Sequence, residues 1–282
     1  MHIEVIATGL SFPEGPIILP DGSLVVTEIG AGQLTRVGLD GATSRFAGTG
    51  GGPNGAARMP DGSVIVCNNG GFPKERGGPP PERGRLQRVT EGGAVVADLL
   101  LDVGGAPLDA PNDCVVDASG GLWFTNPAGF GKLGNVCYLA PDGRATVAAD
   151  GFLFPNGIGL SASGARLVIC ESETGNLLGF EVEGPGKLSA PQINGNIGRR
   201  SIPDGFAVDS LGRMIVAGFR TKSLFVLDMD DGRPIEVIEL PDEGVTNCCF
   251  GGPDFRTLFI TSSRKGEVLR LEWPVPGLRL NA

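Results

Sequence analysis

The chain has 282 residues, of which 41% are apolar, with 47 glycines, 22 prolines and a net charge of −9. This composition is typical of a folded chain rich in turns, and it excludes collagen because neither Gly nor Pro recurs with a fixed period. The acidic balance argues against a nucleic-acid partner, which would require a basic face.

Histidine and cysteine usage narrows the chemistry further. His2, near the N-terminus, is the single histidine, which excludes a Ser-His-Asp triad, a His-rich zinc site and a histidine base elsewhere. The six cysteines lie mostly in apolar runs without a C-x-x-C pair, which predicts buried free thiols. Neither a membrane-spanning run nor a secretory signal is evident, so we expect a cytoplasmic protein without membrane partners. Catalysis would then rely on carboxylates, amides and a hard cation.

A short polar tripeptide recurs six times along the chain. It reads Pro13-Glu14-Gly15, Pro53-Asn54-Gly55, Pro111-Asn112-Asp113, Pro155-Asn156-Gly157, Pro203-Asp204-Gly205 and, in degenerate form, Thr246-Asn247-Cys248. In the first five copies, another glycine follows eight residues after the polar member: Gly22, Gly62, Gly120, Gly164 and Gly212. This fixed spacing indicates a repeated supersecondary unit, in which we interpret the tripeptide as a turn that precedes a strand.

Each repeat is predicted to contain up to four antiparallel strands. In chain order they lie at 16–19, 23–28, 33–39 and 43–47; at 56–59, 63–68, 85–90 and 94–98; at 114–117, 121–126, 136–140 and 145–149; at 158–160, 165–170 and 177–182; at 206–209, 213–217, 223–228 and 234–240; and at 249–250, 257–261 and 267–273. The fourth strand of the fourth repeat is hard to place, and the sixth repeat has none. Residues 3–6 share the sequence IEVI with residues 235–238 of an outer strand. We therefore expect the first strand of the chain to complete the last repeat.

Six four-stranded units closed in this way predict an all-β fold, a six-bladed β-propeller formed by residues 1–282 as a single domain. An immunoglobulin-like sandwich is the structural alternative, but it would not show the internal spacing.

The propeller places the polar tripeptide residues together. Inner strands line the central channel, so we expect a ring at one mouth formed by Glu14, Asn54, Asn112, Asn156, Asp204 and Asn247. The second strands return to the same face, which predicts an outer ring at Glu28, Asn68, Asn126, Glu171, Gly218 and Ser262. The loops that follow, 69–84 and 127–134, become candidate lids over a pocket.

The predicted inner ring offers oxygen ligands without nitrogen or sulfur. Such a set suits a hard divalent cation, Ca²⁺ first, then Mg²⁺ or Mn²⁺, with Zn²⁺ less favoured. Asn, Asp and Gly after Pro also form ordinary turns, so a single copy would carry no functional meaning. Glu14 is the member that turn formation explains least.

Several segments resemble the gluconolactonase/regucalcin family: FPEGP, PNDCVVDASGGLWFTNP, FPNGIGLSASGARLVIC, IPDGFAVDSLGRMIVAG and VTNCCFGGPDFRTLFIT. The resemblance implies a six-bladed propeller that binds one catalytic divalent metal in its channel and hydrolyses a sugar lactone or another small lactone. By motif, Glu14, Asn156 and Asp204 would be the metal ligands, Asp204 would also be the general base, and Asn112 would contact metal or substrate. Two departures leave the substrate open: Ala110 stands near the place of an arginine found in some sugar lactonases, and Asn126 replaces the Asp of the usual FTDP.

We therefore expect a metal-dependent lactonase that acts on a sugar-type or carboxylated lactone, with Asp204 taking a proton from the attacking water. Asn112, Asn126, Arg199 and Arg220 are the candidate substrate contacts. The two arginines would hold a substrate carboxylate or be solvated surface groups. Three alternatives stay open: calcium-dependent phosphotriester hydrolysis, a calcium-binding propeller without catalysis, and a metal-independent condensing enzyme like strictosidine synthase.

Overall fold

The structure is a computed structural model that describes residues 2–38, 40–72 and 82–279, without the side chains of residues 95 and 96. Every regular element in these ranges is a β-strand, and the sheets form six blades around a channel. The predicted six-bladed β-propeller is therefore confirmed. Over the same ranges, no helix has the length and hydrophobicity needed to cross a membrane.

The strands follow one another blade by blade. The chain starts with β1 (Glu4–Ala7). The first blade contains β2 (Pro13–Ile18), β3 (Leu24–Glu28), β4 (Gln33–Val37) and β5 (Thr43–Gly48). The second contains β6 (Pro53–Arg58), β7 (Val64–Asn68), β8 (Arg85–Val89) and β9 (Val95–Leu100). A two-stranded hairpin follows, formed by β10 (Asp102–Val103) and β11 (Ala106–Pro107).

The later blades repeat this order. The third contains β12 (Cys114–Val116), β13 (Leu122–Asn126), β14 (Leu133–Leu139) and β15 (Ala145–Leu153). The fourth contains β16 (Pro155–Leu160), β17 (Arg166–Glu171), β18 (Asn176–Gly184), β19 (Lys187–Leu188) and β20 (Gln192–Asn196). The fifth contains β21 (Pro203–Val208), β22 (Arg213–Gly218), β23 (Ser223–Asp228) and β24 (Pro234–Glu239). The sixth contains β25 (Val245–Gly251), β26 (Thr257–Ser262) and β27 (Glu267–Glu272).

The ring closes through the N-terminal strand. β1 pairs with β27 in an antiparallel sheet that continues through β26 and β25, as the shared IEVI sequence predicted. Each of the inner strands, β2, β6, β12, β16, β21 and β25, contacts the inner strands of both neighbouring blades. The channel is therefore lined on all sides by inner strands.

The hydrophobic core is divided into six clusters, one between each pair of neighbouring blades. Because successive side chains of a strand point to opposite faces, a blade buried on both faces needs apolar residues at consecutive positions. Val25 of β3 packs against the second blade, whereas its neighbours Leu24 and Val26 pack against the sixth. This explains the continuous apolar runs in the second strand of each blade.

The repeating glycine lies in the turn between the first and second strands. All five copies have positive φ, between 69° and 85°. In the first blade, the N–H of Gly22 donates to the carbonyl of Leu19 at 2.9 Å, and Gly62 makes the same contact to Met59. A residue with a side chain is strained at such φ values, so the turn requires glycine.

The interpretation of the polar tripeptide as a turn is wrong. Pro13, Pro53, Pro155 and Pro203 are the first residues of β2, β6, β16 and β21. The pairing of each of these strands with the next shifts register immediately after the proline or the polar residue, which marks a β-bulge. A bulge interrupts the regular alternation of side chains between the two faces of a strand and so changes the direction in which a side chain points. The polar residue of each tripeptide therefore sits in an irregular part of the inner strand.

Candidate metal and active site

The six polar side chains predicted for the inner ring are all buried at the channel: Glu14, Asn54, Asn112, Asn156, Asp204 and Asn247. Buried polar groups are retained in proteins when they are hydrogen-bonded, paired with charge or bound to a ligand. Each of these six side chains is therefore expected to have a hydrogen-bond partner, a charged neighbour or a ligand.

The glycine that follows the polar residue makes room for the next blade. A Cβ at Gly157 would lie 2.3 Å from the carbonyl oxygen of Asp204, and one at Gly205 would lie 2.1 Å from the side chain of Asn247. A Cβ at Gly15 would lie 2.3 Å from the carbonyl oxygen of Asn54. The glycine of the tripeptide thus permits close contact between neighbouring inner strands, and this contact brings the polar residues of successive blades together.

A set of hydroxyl groups fixes the tripeptides to one another. Thr27 Oγ1 donates to the carbonyl of Asn54 at 2.6 Å, and Thr125 Oγ1 donates to that of Asn156 at 2.7 Å. Ser172 Oγ donates to the carbonyl of Pro203 at 2.6 Å, and Thr246 Oγ1 donates to that of Pro13 at 3.0 Å. Each bond joins one blade to the next, so the ring is positioned by contacts between blades.

Two ring carboxylates carry strongly perturbed pKa values. Burial raises the pKa of Glu14 well above its ordinary value, the charges of Asp204 and Asp113 raise it further, and the N–H of Gly15 lowers it. Burial also raises the pKa of Asp204, and the charge of Asp113 adds to this, while the amide of Asn156 lowers it. Carboxyl groups are therefore close together in the channel, and burial and repulsion disfavour their charged forms when no cation is bound.

Asn156 has a buried polar atom that lacks a hydrogen-bond partner among the described residues. Its Nδ2 donates to Ser172 Oγ at 3.1 Å, whereas its buried Oδ1 has no hydrogen-bond partner within the described residues. Ser172 in turn donates to the carbonyl of Pro203, so it fixes which end of the Asn156 amide faces inward. An amide oxygen that lacks a donor among the described residues, on a side chain that interacts with the buried Asp204, is the kind of ligand that a hard cation prefers.

The carboxylates alone do not make a metal centre. Across residues 2–38, 40–72 and 82–279, no group of three or more His, Cys, Asp or Glu side chains has a suitable arrangement. A cation bound to Glu14 and Asp204 would therefore depend on amide oxygens to complete its ligands.

Asp113 is a buried carboxylate that the sequence analysis did not select. Its Oδ2 accepts a hydrogen bond from Asn247 Nδ2 at 3.2 Å, and its Oδ1 accepts one from the N–H of Cys114 at 3.0 Å. The third and sixth blades face each other across a six-bladed ring, so this bond crosses the channel. Burial raises the pKa of Asp113 to about 6. The sequence distinguished Asp113 in one way: it ends one of the first five tripeptides, and the other four end in Gly.

A cavity of about 700 Å³ opens beyond this crossing, toward the other mouth of the channel. Asp113 and Asn247 line it together with apolar side chains such as Ile17, Val116 and Phe206. The cavity also reaches the turn at residues 20–22 that follows β2, whereas Glu14, Asn156 and Asp204 stand at the beginning of their inner strands and do not line it.

The residues predicted for the outer ring stand at the ends of the second strands, as expected. Most of their polar side chains, however, form hydrogen bonds with backbone amides of the protein. Four of them accept hydrogen bonds from amides just before an inner strand: Glu28 from Ser11, Asn68 from Gly52, Asn126 from Asp109 and Ala110, and Glu171 from Leu153, at 2.6 to 3.1 Å. Ser262 donates to Asp242. Asn126 also donates to Asn135 Oδ1 at 3.2 Å. The substrate contact expected for Asn126 stays a prediction, while its observed bonds position the segment that leads to Asn112.

The remaining predicted contacts lie at the rim. Arg199 and Arg220 are exposed, and the backbone N–H of Arg220 donates to the carbonyl of Ser201 at 3.3 Å. In the candidate lid at 127–134, Phe130 stacks on Phe154 of the next blade with ring centroids 4.3 Å apart. The other candidate lid, 69–84, is described only at 69–72 and 82–84, and its residues 73–81 lie outside the described residues.

Comparison with known proteins gives related sequences and folds. The chain is 26% identical over 296 residues to the gluconolactonase of Zymomonas mobilis, covering 93% of this chain and 79% of that protein. It is 28% identical over 189 residues to diisopropyl-fluorophosphatase of Loligo vulgaris, covering 61% of this chain and 60% of that protein, less than two thirds of its length. The crystal structure of a calcium-binding protein, regucalcin from Agrobacterium tumefaciens, has a TM-score of 0.81 at 19% identity and covers 98% of this chain and 95% of that one, which shows a shared fold.

A family model decides the assignment. The model described as SMP-30/Gluconolactonase/LRE-like region matches residues 12–264. This range contains five complete blades and the two inner strands of the sixth. The chain therefore belongs to the SMP-30/gluconolactonase family.

Proposed function

We propose that this protein is a metal-dependent lactonase that holds one divalent cation, with Ca²⁺ as first choice, through Glu14, Asn156 and Asp204. The observation that carries the proposal is the buried Oδ1 of Asn156, which has no partner among the described residues, on a side chain that interacts with Asp204. Burial and neighbouring carboxylates raise the pKa values of both Asp204 and Glu14. A bound cation would supply the missing partner and offset the buried charge. Membership of the family and the gluconolactonase relative support lactone hydrolysis.

The reaction assigns a role to each of these side chains. The cation, when bound, polarises the lactone carbonyl and stabilises negative charge on its oxygen. Asp204 accepts a proton from the water that adds to the carbonyl carbon. The ring C–O bond then breaks, and Asp204 returns the proton to the leaving oxygen, which yields the hydroxy acid. Burial raises the pKa of Asp204 in the metal-free chain, and a bound cation would favour the carboxylate form that accepts the proton.

Neighbouring residues would support this geometry. Ser172 keeps the Asn156 amide oriented, and Asn126 holds the backbone that precedes Asn112. Asn112 remains our candidate for a substrate or metal contact. Arg199 and Arg220 are exposed at the rim and would meet a substrate carboxylate if one is present.

The proposal is tested by separating metal binding from turnover. Asp204→Asn should lower kcat/KM for the best substrate of a lactone panel by about 10²- to 10⁴-fold, the range for loss of a general base. Metal content and affinity are measured on the same variant by dialysis and calorimetry. Asp230→Asn, an exposed change on the fifth blade, is the matched control and should keep wild-type turnover. Wild-type kcat/KM in Asp204→Asn with metal still bound would overturn the role of Asp204.

Phosphotriester hydrolysis is the second candidate, because one relative is diisopropyl-fluorophosphatase. The chelated protein is therefore assayed against a lactone panel and a phosphotriester, before and after Ca²⁺, Mg²⁺, Mn²⁺ or Zn²⁺ is returned. Metal-dependent turnover of the phosphotriester alone would replace the lactonase proposal. Metal binding without turnover of either substrate would favour a calcium-binding propeller without catalysis.

A further inference from the structure

The residues that precede three of the tripeptides adopt a costly backbone conformation. Phe12, Phe154 and Ile202 directly precede Pro13, Pro155 and Pro203, and their φ values are 55°, 57° and 48°. This left-handed region is uncommon for residues other than Gly, Asn and Asp and is unfavourable for bulky or β-branched side chains. The three blades concerned are those that carry Glu14, Asn156 and Asp204.

The other three blades do not share this feature. Gly52, Ala110 and Val245 occupy the corresponding positions, and none of them has positive φ. Glycine would adopt the left-handed conformation without strain. Lys222 and Phe255 also have positive φ at other positions in the chain, so it is the location of Phe12, Phe154 and Ile202 directly before the site tripeptides that points to a function for their side chains.

Hydrogen bonds lock these residues in place. The carbonyl of Phe12 accepts from the N–H of Ile29 at 3.2 Å, and the carbonyl of Phe154 accepts from that of Ser172 at 3.1 Å. The carbonyl of Ile202 accepts from the N–H of Phe219 at 3.2 Å. Each bond joins the residue to the loop that follows the second strand of its own blade, so the backbone that carries each apolar side chain is fixed beside the mouth.

Phenylalanines from other loops extend this surface around the mouth. The ring of Phe12 lies 4.8 Å from that of Phe72 in the second blade and 6.2 Å from that of Phe219 in the fifth. The first and fifth blades are not neighbours, so these rings reach past the sixth blade. On the other side, Phe130 of the third blade stacks on Phe154 of the fourth. We call these six residues the apolar rim: Phe12, Phe72, Phe130, Phe154, Ile202 and Phe219.

The apolar rim remains accessible. Five of its members are partly buried, and Phe130 is 64% exposed. Accessible apolar side chains around the mouth of a channel are typical of a binding surface. Phe12, Phe154 and Ile202 directly precede the tripeptides of Glu14, Asn156 and Asp204, so the occupant that this surface would meet is the substrate.

The polar side chains of the outer ring already have hydrogen-bond partners within the protein. Glu28, Asn68, Asn126 and Glu171 are buried and hold backbone amides, so they are poorly placed to bind substrate hydroxyls. A sugar lactone has hydroxyl groups on most ring carbons, and each one buried without a partner costs binding energy. An alkyl or aryl substituent would instead gain from contact with the rim.

We infer that the preferred substrates are lactones with an apolar alkyl or aryl substituent, which the apolar rim binds. This inference rests on the proposed lactonase function. It differs from a sugar-type or carboxylated substrate, for which Arg199 and Arg220 would be the contacts.

The experiment compares lactones that differ in one substituent. Background-corrected kcat/KM is measured with bound Ca²⁺ for γ-butyrolactone, γ-hexalactone and γ-octalactone, and for glucono-δ-lactone and a carboxylated γ-lactone. We expect kcat/KM to rise by roughly 15-fold for each added pair of carbons, which corresponds to ~0.8 kcal/mol for each methylene group. The sugar and carboxylated lactones should be poorer substrates than γ-octalactone.

Variants identify the surface responsible. Phe130→Ala should flatten the rise with chain length, and Phe130→Leu should retain most of it, because leucine keeps an apolar contact. Leu211→Ala is the matched control, since Leu211 is 65% exposed in a turn on the opposite face. It should leave the rise unchanged.

The outcomes separate the two proposals. Lactone turnover without a dependence on chain length, or with a preference for the sugar or carboxylated lactone, would overturn the apolar substrate and leave the lactonase standing. A steep rise that Phe130→Ala leaves intact would overturn the rim as its cause. Failure to hydrolyse any lactone with any of the four metals would overturn the lactonase and this inference together.

Discussion

Asp113→Asn should change how the stability of the metal-free protein depends on pH. The carboxyl is buried, and its pKa is about 6 in the folded chain against an ordinary value of 3.8. A raised folded-state pKa contributes stability that is fully present below the unfolded pKa and is lost as pH rises through the folded pKa. The chelated wild-type protein should therefore become less stable between about pH 4 and pH 6 because of this group.

The magnitude follows from the difference between the two pKa values. A difference of about 2 corresponds to ~3 kcal/mol of unfolding free energy, as an order of magnitude. Roughly half of it, ~1.5 kcal/mol, should be lost between about pH 5 and pH 7.5. Asn at this position removes the titration. The bond from Asn247 Nδ2, at 3.2 Å, lowers the pKa of Asp113 and is therefore already contained in the value of about 6.

Urea unfolding provides the assay. The fluorescence of the two tryptophans, Trp123 and Trp273, is followed in chelator at about pH 5 and pH 7.5, and the unfolding free energy is extrapolated to zero urea. Relative to wild type, Asp113→Asn should be more stable by ~1.5 kcal/mol at the higher pH than at the lower. Asp230→Asn, an exposed aspartate on the fifth blade, should show no such change. A difference between wild type and Asp113→Asn that does not vary with pH would refute the reasoning.

Three further predictions concern the site. Ser172→Ala removes the hydroxyl that orients the Asn156 amide. Calcium affinity, measured by calorimetry, should then fall by roughly 10- to 100-fold, which is the effect of losing a group that orients a metal ligand. Unchanged affinity would contradict this role of Ser172. Gly157→Ala should lower the unfolding free energy by more than ~2 kcal/mol, because the new Cβ would lie 2.3 Å from the carbonyl of Asp204. The control Gly92→Ala meets no atom within 4 Å and should change stability by less than ~0.5 kcal/mol, so equal effects of the two changes would contradict the packing argument. Saturating calcium, at about 100 times its Kd, should stabilise the chelated wild type by ~2.7 kcal/mol, and a melting temperature that does not respond to calcium would argue against a metal site.

The order of the blades was predictable because it depends on local backbone requirements. The glycine eight residues after each polar member marks a turn with positive φ, and the shared IEVI sequence identified the strand that closes the sixth blade. The outer strand of the fourth blade, β20 (Gln192–Asn196), was not placed. Its sequence, QINGN, is polar, mostly exposed and contains a glycine, so it lacks the alternation that indicates a strand.

The site was predictable only in part. Glu14, Asn156 and Asp204 share one mouth of the channel, as the repeat and the family resemblance implied, but their role as ligands stays a prediction. Asp113 was missed because nothing local shows that its side chain crosses the channel to Asn247. Ser172 and the apolar rim were missed for the same reason, since their partners belong to other blades or other loops.

The sequence by itself determined which oxygen-bearing side chains recur at the start of each inner strand, because turns, strands and their spacing follow from residues close together in the chain. The tertiary structure determined which partners and neighbours each of those side chains has. Among the described residues of the folded chain, the Asn156 oxygen has no partner, Asp113 accepts a hydrogen bond from Asn247 of the facing blade, and phenylalanines from the first, second and fifth blades meet at the mouth. These relations join blades that are distant in the chain, and they arise only when the ring closes.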